Sequence, residues 1–252
     1  MTGVVRPAAV LAGRHVRLMV RYPMVLVSAI VMPLMVMLLF LALFDKLSGQ
    51  RGLDYVQWVT PAMVVQAVLF TGMGAAFGIG MDIRAGLLDR WRSMPMPWAG
   101  IVLARVGADL VRGFASIVVI VGCGAALGFR LPADLPALLQ FVAVCAVLIA
   151  VLSVGGGLVG LRTGDPEATT AVILPLVMLS LMVSSAFVPA SNFPSWLRPV
   201  AQVNPVSLAS EALRAATDAS VNGAALLGTA AWAVGLGVLW LVFTARRYRR
   251  DG

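Results

Sequence analysis

A single lysine, a single histidine and two cysteines in 252 residues leave this chain little of the usual catalytic chemistry. Lys46 is followed by Leu47, so there is no G-x-x-x-x-G-K-[ST] phosphate loop and ATP hydrolysis of that type is excluded. With His15 as the only imidazole, neither a metal cluster nor Ser-His or Cys-His catalysis has supporting residues. Cys123 and Cys145 lie within apolar runs and read as small buried hydrophobes, not as a disulfide framework. The chain is therefore expected not to be an enzyme and to bind no cofactor or metal of its own. Charge is scarce too: 12% of residues are charged and 60% are hydrophobic, with a mean hydropathy of +0.95. Soluble domains average about 45–50% apolar residues. An excess of this size finds no core large enough in water, so the solvent for most of the chain is lipid.

Six apolar stretches carry that excess: Met24 to Phe44, Val59 to Gly80, Gly113 to Phe129, Ala137 to Leu161, Ala171 to Pro189 and Ala224 to Thr244. The first is free of charge, and at the helical rise its length covers roughly 30 Å, the thickness of the hydrocarbon core. Lipid offers backbone groups no partner, so helices are expected, and the runs do not alternate as barrel strands would. The first stretch is too long for a secretory apolar region and lacks a small-residue cleavage site, so it reads as a retained span. The expected fold is an all-α membrane protein, a single transmembrane domain over 1–252 with six transmembrane helices. None of these six stretches has Asp, Glu or His at its centre, which argues against a proton-coupled transporter.

The arginines orient the bundle. With both termini inside, the inner segments hold 14 of the 19 basic residues and the outer ones Lys46, Arg51, Arg130, Arg198 and Arg214. Positive charge accumulates on the cytoplasmic side, so both termini are expected there. The same asymmetry explains the net charge of +8 without nucleic acid as a partner. Arginine outnumbers lysine 18 to 1, a composition that fits a GC-rich bacterial genome and a bacterial plasma membrane.

Between the spans, residues 1–22 read as an amphipathic interfacial helix with Arg14, Arg17 and Arg21 on one face, against membrane lipid or a cytoplasmic partner. The inner segment 81–100, MDIRAGLLDRWRSMPMPWAG, mixes charges with Leu87, Leu88 and Trp91, and Pro95 and Pro97 interrupt it. A second helical run begins near Ala99. Its Arg105, Asp109 and Arg112 recur at i, i+4 and i+7, a polar stripe expected where the helix enters the membrane. Asp165-Pro166-Glu167 reads as a helix start, as do Thr60-Pro61 and Asn204-Pro205. The outer segment 190–223 is too apolar for a plain connector, so one or two short helices are expected on or in the outer leaflet, as a lid or as packing. Gly74 with Gly78, Gly124 with Gly128, and Gly155 to Gly157 with Gly160 have the spacing that lets helices approach closely, in one chain or between two. Pro33 and Pro175 fall inside spans, where kinks are expected.

Met81 to Met96, MDIRAGLLDRWRSMPM, resembles the cytoplasmic signature of type-2 ABC exporter permeases, closest to the branch of daunorubicin/doxorubicin-resistance permeases. The matching residues are Asp82, Gly86, Asp89-Arg90, Arg92-Ser93, Pro95 and the stretch Arg105 to Asp109. A second match is Phe187-Val188-Pro189, Phe193-Pro194, Trp196-Leu197, Asn204-Pro205 and Glu211-Ala212-Leu213-Arg214. The order of the spans fits as well, so the resemblance covers essentially the whole chain. One departure is Arg84-Ala85 ahead of Gly86, where many members carry a glutamate; Asp82 is then the acid. The resemblance implies two permease subunits, identical or related, each seated on a separate ABC ATP-binding subunit that holds ATP and Mg. The N-terminal helix and an ATPase-coupling loop of Asp82, Arg84, Gly86, Leu87, Leu88, Asp89, Arg90, Trp91, Arg92 and Pro95 would rest on that subunit. Apolar anchors within a polar rim suit such docking. An uncharged bundle suits a lipophilic or amphipathic cargo, and the resemblance points to drug or natural-product efflux. Export of lipid or glycan precursors, an ATP-independent secondary transporter and a membrane scaffold are the alternatives.

Overall fold

The computed structural model describes residues 31–43, 54–87, 98–132, 134–218 and 222–248, with 98–101 and 240–248 as backbone alone. Among the described residues every regular element is helical. In chain order these are α1 (Val31–Leu43), α2 (Tyr55–Arg84), α3 (Trp98–Ala126), α4 (Leu135–Thr163), α5 (Pro166–Met182), a 3-10 turn at Ala190–Asn192, α6 (Arg198–Val203), α7 (Pro205–Thr217) and α8 (Gly223–Tyr248). Each of the six apolar stretches overlaps a helix within its described residues. Among the described residues three helices are long and apolar enough to cross a membrane: α2, α3 over Val102–Ala126, and α4. Val31–Leu43, Pro166–Met182 and Gly223–Leu239 are apolar but shorter.

Local chemistry sets most of the helix ends. Asp54 accepts a hydrogen bond from the Gln57 amide (3.2 Å) and starts α2. Pro61 therefore lies inside α2 and does not start it: the Asp54 cap already satisfies the first turn. Thr60 Oγ1 instead bonds back to the Val56 carbonyl (2.8 Å). Asp165 accepts from the Ala168 amide (2.9 Å), Pro166 opens α5 and Glu167 sits in its first turn, as the sequence pattern predicts. Asn204 likewise caps α7 through Val206 N–H (2.8 Å). Gly164, at φ +67°, lets the chain turn from α4 into α5.

The helical run near Ala99 continues into the third apolar stretch as one helix, as expected, with Arg112 at the midpoint of α3 and Asp109 one turn before it. Within its apolar part, Val102–Ala126, Arg105 stands near the start and Arg112 near the middle, so the polar stripe runs inward from the entrance and carries a buried carboxylate, Asp109. The fifth helix differs from expectation at its end, which falls at Met182, short of Pro189. Beyond it the backbone is irregular, and α7 serves it. Asn204 Nδ2 donates to the Ser180 carbonyl (2.9 Å), Ser207 Oγ accepts from Ser185 N–H (2.8 Å), and Arg214 donates to the carbonyls of Ser185 (3.3 Å) and Ala186 (2.7 Å). Irregular backbone at membrane depth requires such partners.

That requirement explains why α7 is not a surface helix. Val206, Ser207, Ala209, Ser210 and the run Ala212–Ala216 are all buried, packed against α2, α4, α5 and α8. Arg214 also donates to the Trp58 carbonyl (3.0 Å) and lies over the Trp58 ring at 3.7 Å, so a residue expected in an outer loop is a buried strut. Trp196, by contrast, is 74% exposed, as an interfacial tryptophan would be. Between α2 and α4 the backbones nearly touch. A Cβ added at Gly156 would stand 2.3 Å from the Gly72 carbonyl, and one at Gly160 would stand 2.4 Å from that of Ala76. These glycines act within the chain.

Candidate functional site

The described part of the segment 81–100 begins with the end of α2. Gly86 adopts φ +67°, its N–H donates to the Ile83 carbonyl (2.9 Å), and Ala85 N–H donates to Met81 (3.0 Å). This closes the helix with a left-handed glycine, a conformation that side-chain-bearing residues resist. Leu87 is half-buried beside it. Leu88, Asp89, Arg90, Trp91, Arg92 and Pro95 lie outside the described residues, as do Arg14, Arg17 and Arg21 of segment 1–22.

The two described charges of this segment are engaged within the chain. Asp82 pairs with Arg105 of α3 (2.7 Å), both largely buried. Arg84 pairs with Asp165 and with Glu167 (3.0 Å from Nη1) at the start of α5. The Ala168 amide, and then the facing Arg84, hold the Asp165 carboxyl below its ordinary range. Arg84 is exposed, so this clasp is a weak one.

Deeper in, Arg105 donates from Nη2 to the Ala75 carbonyl (2.7 Å), and Arg112 donates to the Thr71 carbonyl (2.7 Å). Both acceptors belong to the α2 backbone. Arg112 also pairs with Asp109 (2.7 Å), whose other oxygen accepts from Ser153 Oγ on α4. Asp109 and Arg112 are 3% and 6% exposed, which makes this a buried polar network across three helices. Of the predicted stripe, Asp109 and Arg112 do pair, whereas Arg105 turns to Asp82. Two glycines make room. A Cβ at Gly74 would meet the Arg112 guanidinium at 3.1 Å, and one at Gly78 would meet Arg105 Nη2 at 2.4 Å. That glycine pair, one turn apart, together with Asp82 and the Arg105, Asp109, Arg112 stripe, was the sequence signal of this seam. Thr71, Ala75 and Ser153 gave none.

On its other side α2 borders an apolar cleft of about 310 Å³ between α2, α4, α5, α7 and α8, with Leu69, Gly72, Leu152, Val177 and Trp232 among its walls. Its Thr229 hydroxyl is bonded to the Ala225 carbonyl (2.8 Å). The cleft therefore suits a body with few hydrogen-bonding demands. Among the described residues, no group of three or more His, Cys, Asp or Glu is placed to hold a metal ion.

Comparison with known proteins bears on all of this. A family model described as ABC-2 type transporter matches residues 8–217. The chain is 24% identical over 212 residues to a daunorubicin resistance ABC transporter permease protein, DrrB1, of Streptomyces coeruleorubidus, covering 82% of this chain and 71% of that one. It is 31% identical over 159 residues to a doxorubicin resistance ABC transporter permease protein, DrrB, of Mycobacterium tuberculosis, covering 63% and 55%. A probable doxorubicin resistance ABC transporter permease protein, DrrC, of the same species is 25% identical over 225 residues, covering 89% and 81%.

Proposed function

The chain belongs to the ABC-2 type transporter family, and from that premise we propose that it is the permease subunit of an ATP-driven exporter of lipophilic or amphipathic compounds. A separate ABC ATP-binding subunit supplies the energy from ATP and Mg, and a second permease subunit completes the pore. The observation that carries this reading is the organisation around the 81–100 segment. The two helices it joins are fastened to each other by Asp82–Arg105 at its base, so a push on the segment reaches the membrane. The uncharged walls of the cleft support a cargo such as the anthracyclines named in its relatives. Within this reading Leu88, Asp89, Arg90, Trp91, Arg92 and Pro95 meet the ATPase, and Arg14, Arg17 and Arg21 assist.

The reading also places both termini in the cytoplasm of a bacterium, with six spans. Setting aside the buried Arg105, Arg112 and Arg214 leaves 12 inner and 4 outer basic residues, so the asymmetry survives their removal. The test is purification in mild detergent from the native host, followed by reconstitution with whatever ATPase co-elutes. Doxorubicin accumulation in inverted vesicles that requires hydrolysable ATP is the expected result. Recovery without an ATPase, or uptake that follows a proton gradient alone, would overturn the reading.

A further inference from the structure

We propose that Asp82, Arg105, Asp109 and Arg112 are positioning residues for energy coupling, locking α2, α3 and α4 into one lever that carries motion from the 81–100 segment to the middle of the bundle. The inference rests on the permease reading above and assigns the residues that transmit its stroke.

The argument is geometric. Residues 88–97 join α2 to α3, and Asp82–Arg105 ties the two helices immediately beyond that connection. Arg105 then reaches the Ala75 carbonyl and Arg112 the Thr71 carbonyl, so both arginines grip the α2 backbone and not a side chain that could swing away. Thr71 and Arg112 are each near the middle of their helices, which puts the second fastening at mid-span. Asp109 extends the tie to Ser153 of α4.

Sliding α2 past α3 would break these bonds where no water replaces them, and polar bonds are strong in such surroundings. The charges balance within the seam, two carboxylates against two guanidiniums, so no stray field opposes its burial. The glycines opposite the guanidiniums fix where each arginine can lie. By contrast, the ion pairs that join α5 to the end of α2 among the described residues are those of the exposed Arg84, beside a close packing of Pro166 on Gly80. A push on the connection therefore moves α2, α3 and α4 together.

The test measures doxorubicin moved per ATP hydrolysed by the reconstituted complex, beside the amount of complex recovered. Arg105→Lys keeps the charge but loses the two-pronged grip on Asp82 and Ala75; Asp82→Asn keeps the shape but loses the charge. Both are expected to lower the transport-to-hydrolysis ratio at least about fivefold, with ATP turnover and complex recovery within about twofold of the parent. Arg198→Gln, at an exposed arginine of α6 outside both the seam and the coupling loop, is the control and should leave the ratio unchanged. A ratio unaltered in both seam variants would overturn the lever, and so would transport and hydrolysis falling in parallel. If either variant fails to assemble, Ser153→Ala, which removes only the α4 tie, is expected to lower the ratio by about twofold, and an unchanged ratio there overturns the proposal. A parent complex that shows no ATP-dependent transport fails at the permease reading itself, before any variant is compared.

Discussion

Helix α2 is fastened on two faces by opposite means. Toward α3 it presents backbone carbonyls to two buried arginines, with Gly74 and Gly78 making room for the guanidiniums. Toward α4 it presents Gly72 and Ala76, whose carbonyls lie in close contact with Gly156 and Gly160. In water both faces would be held by burying apolar surface. In lipid that force is absent between helices, so close packing and polar bonds take its place. One face uses contact distance, the other charge, and glycine is essential to both for different reasons.

The comparison can be broken from the charged side first. Arg112→Leu leaves Asp109 buried and unpaired, a change that costs about 3–5 kcal/mol in buried pairs, and should appear as a large loss of folded protein in detergent unfolding titrations. Arg214→Ala is next. It strands the carbonyls of Trp58, Ser185 and Ala186, and unsatisfied buried groups cost about 1–3 kcal/mol each. Limited proteolysis should then cut between α5 and α6 faster than in the parent.

On the packed face, Gly156→Ala sets a methyl against the Gly72 carbonyl, and overpacking of this sort costs about 1–3 kcal/mol. The same titration should rank it below Arg112→Leu. A result in the reverse order would mean that contact distance, not charge, dominates the bundle.

Smallest is Asp165→Ala, which removes the cap from the first turn of α5. Because the Asp165 carboxyl titrates below its ordinary range in the folded protein, its contribution is complete above the unfolded value. It is lost as pH falls through the lower, folded one. The parent and the variant should therefore differ in thermal stability at pH 7, begin to converge as the pH falls below about 4, and meet only below the depressed folded value. A gap that persists in acid would assign the effect to something other than the carboxylate.

Much of this was legible in the sequence where its cause is local. The caps at Asp165 and Asn204 depend on residues two or three positions away, and both helix starts followed from the pattern. The Asp54 cap was missed because Thr60-Pro61 offered a competing start closer to the apolar run. The start of the third span was misplaced because Arg105, Asp109 and Arg112 interrupt the hydropathy, and charges that find partners inside a bundle look, in one dimension, like a water-facing flank. Arg214 misled for the same reason.

The sequence by itself determined the solvent, the helical class, the family and the location of the segment between α2 and α3, because composition, apolar length and short motifs are properties of consecutive residues. Only the tertiary structure decided which charges are buried. Beside the carboxylates of Asp82 and Asp109, the partners of Arg105, Arg112 and Arg214 are main-chain carbonyls on other segments of the chain. Every residue carries that same carbonyl, so no side-chain pattern marks which one an arginine will reach; packing alone selects it.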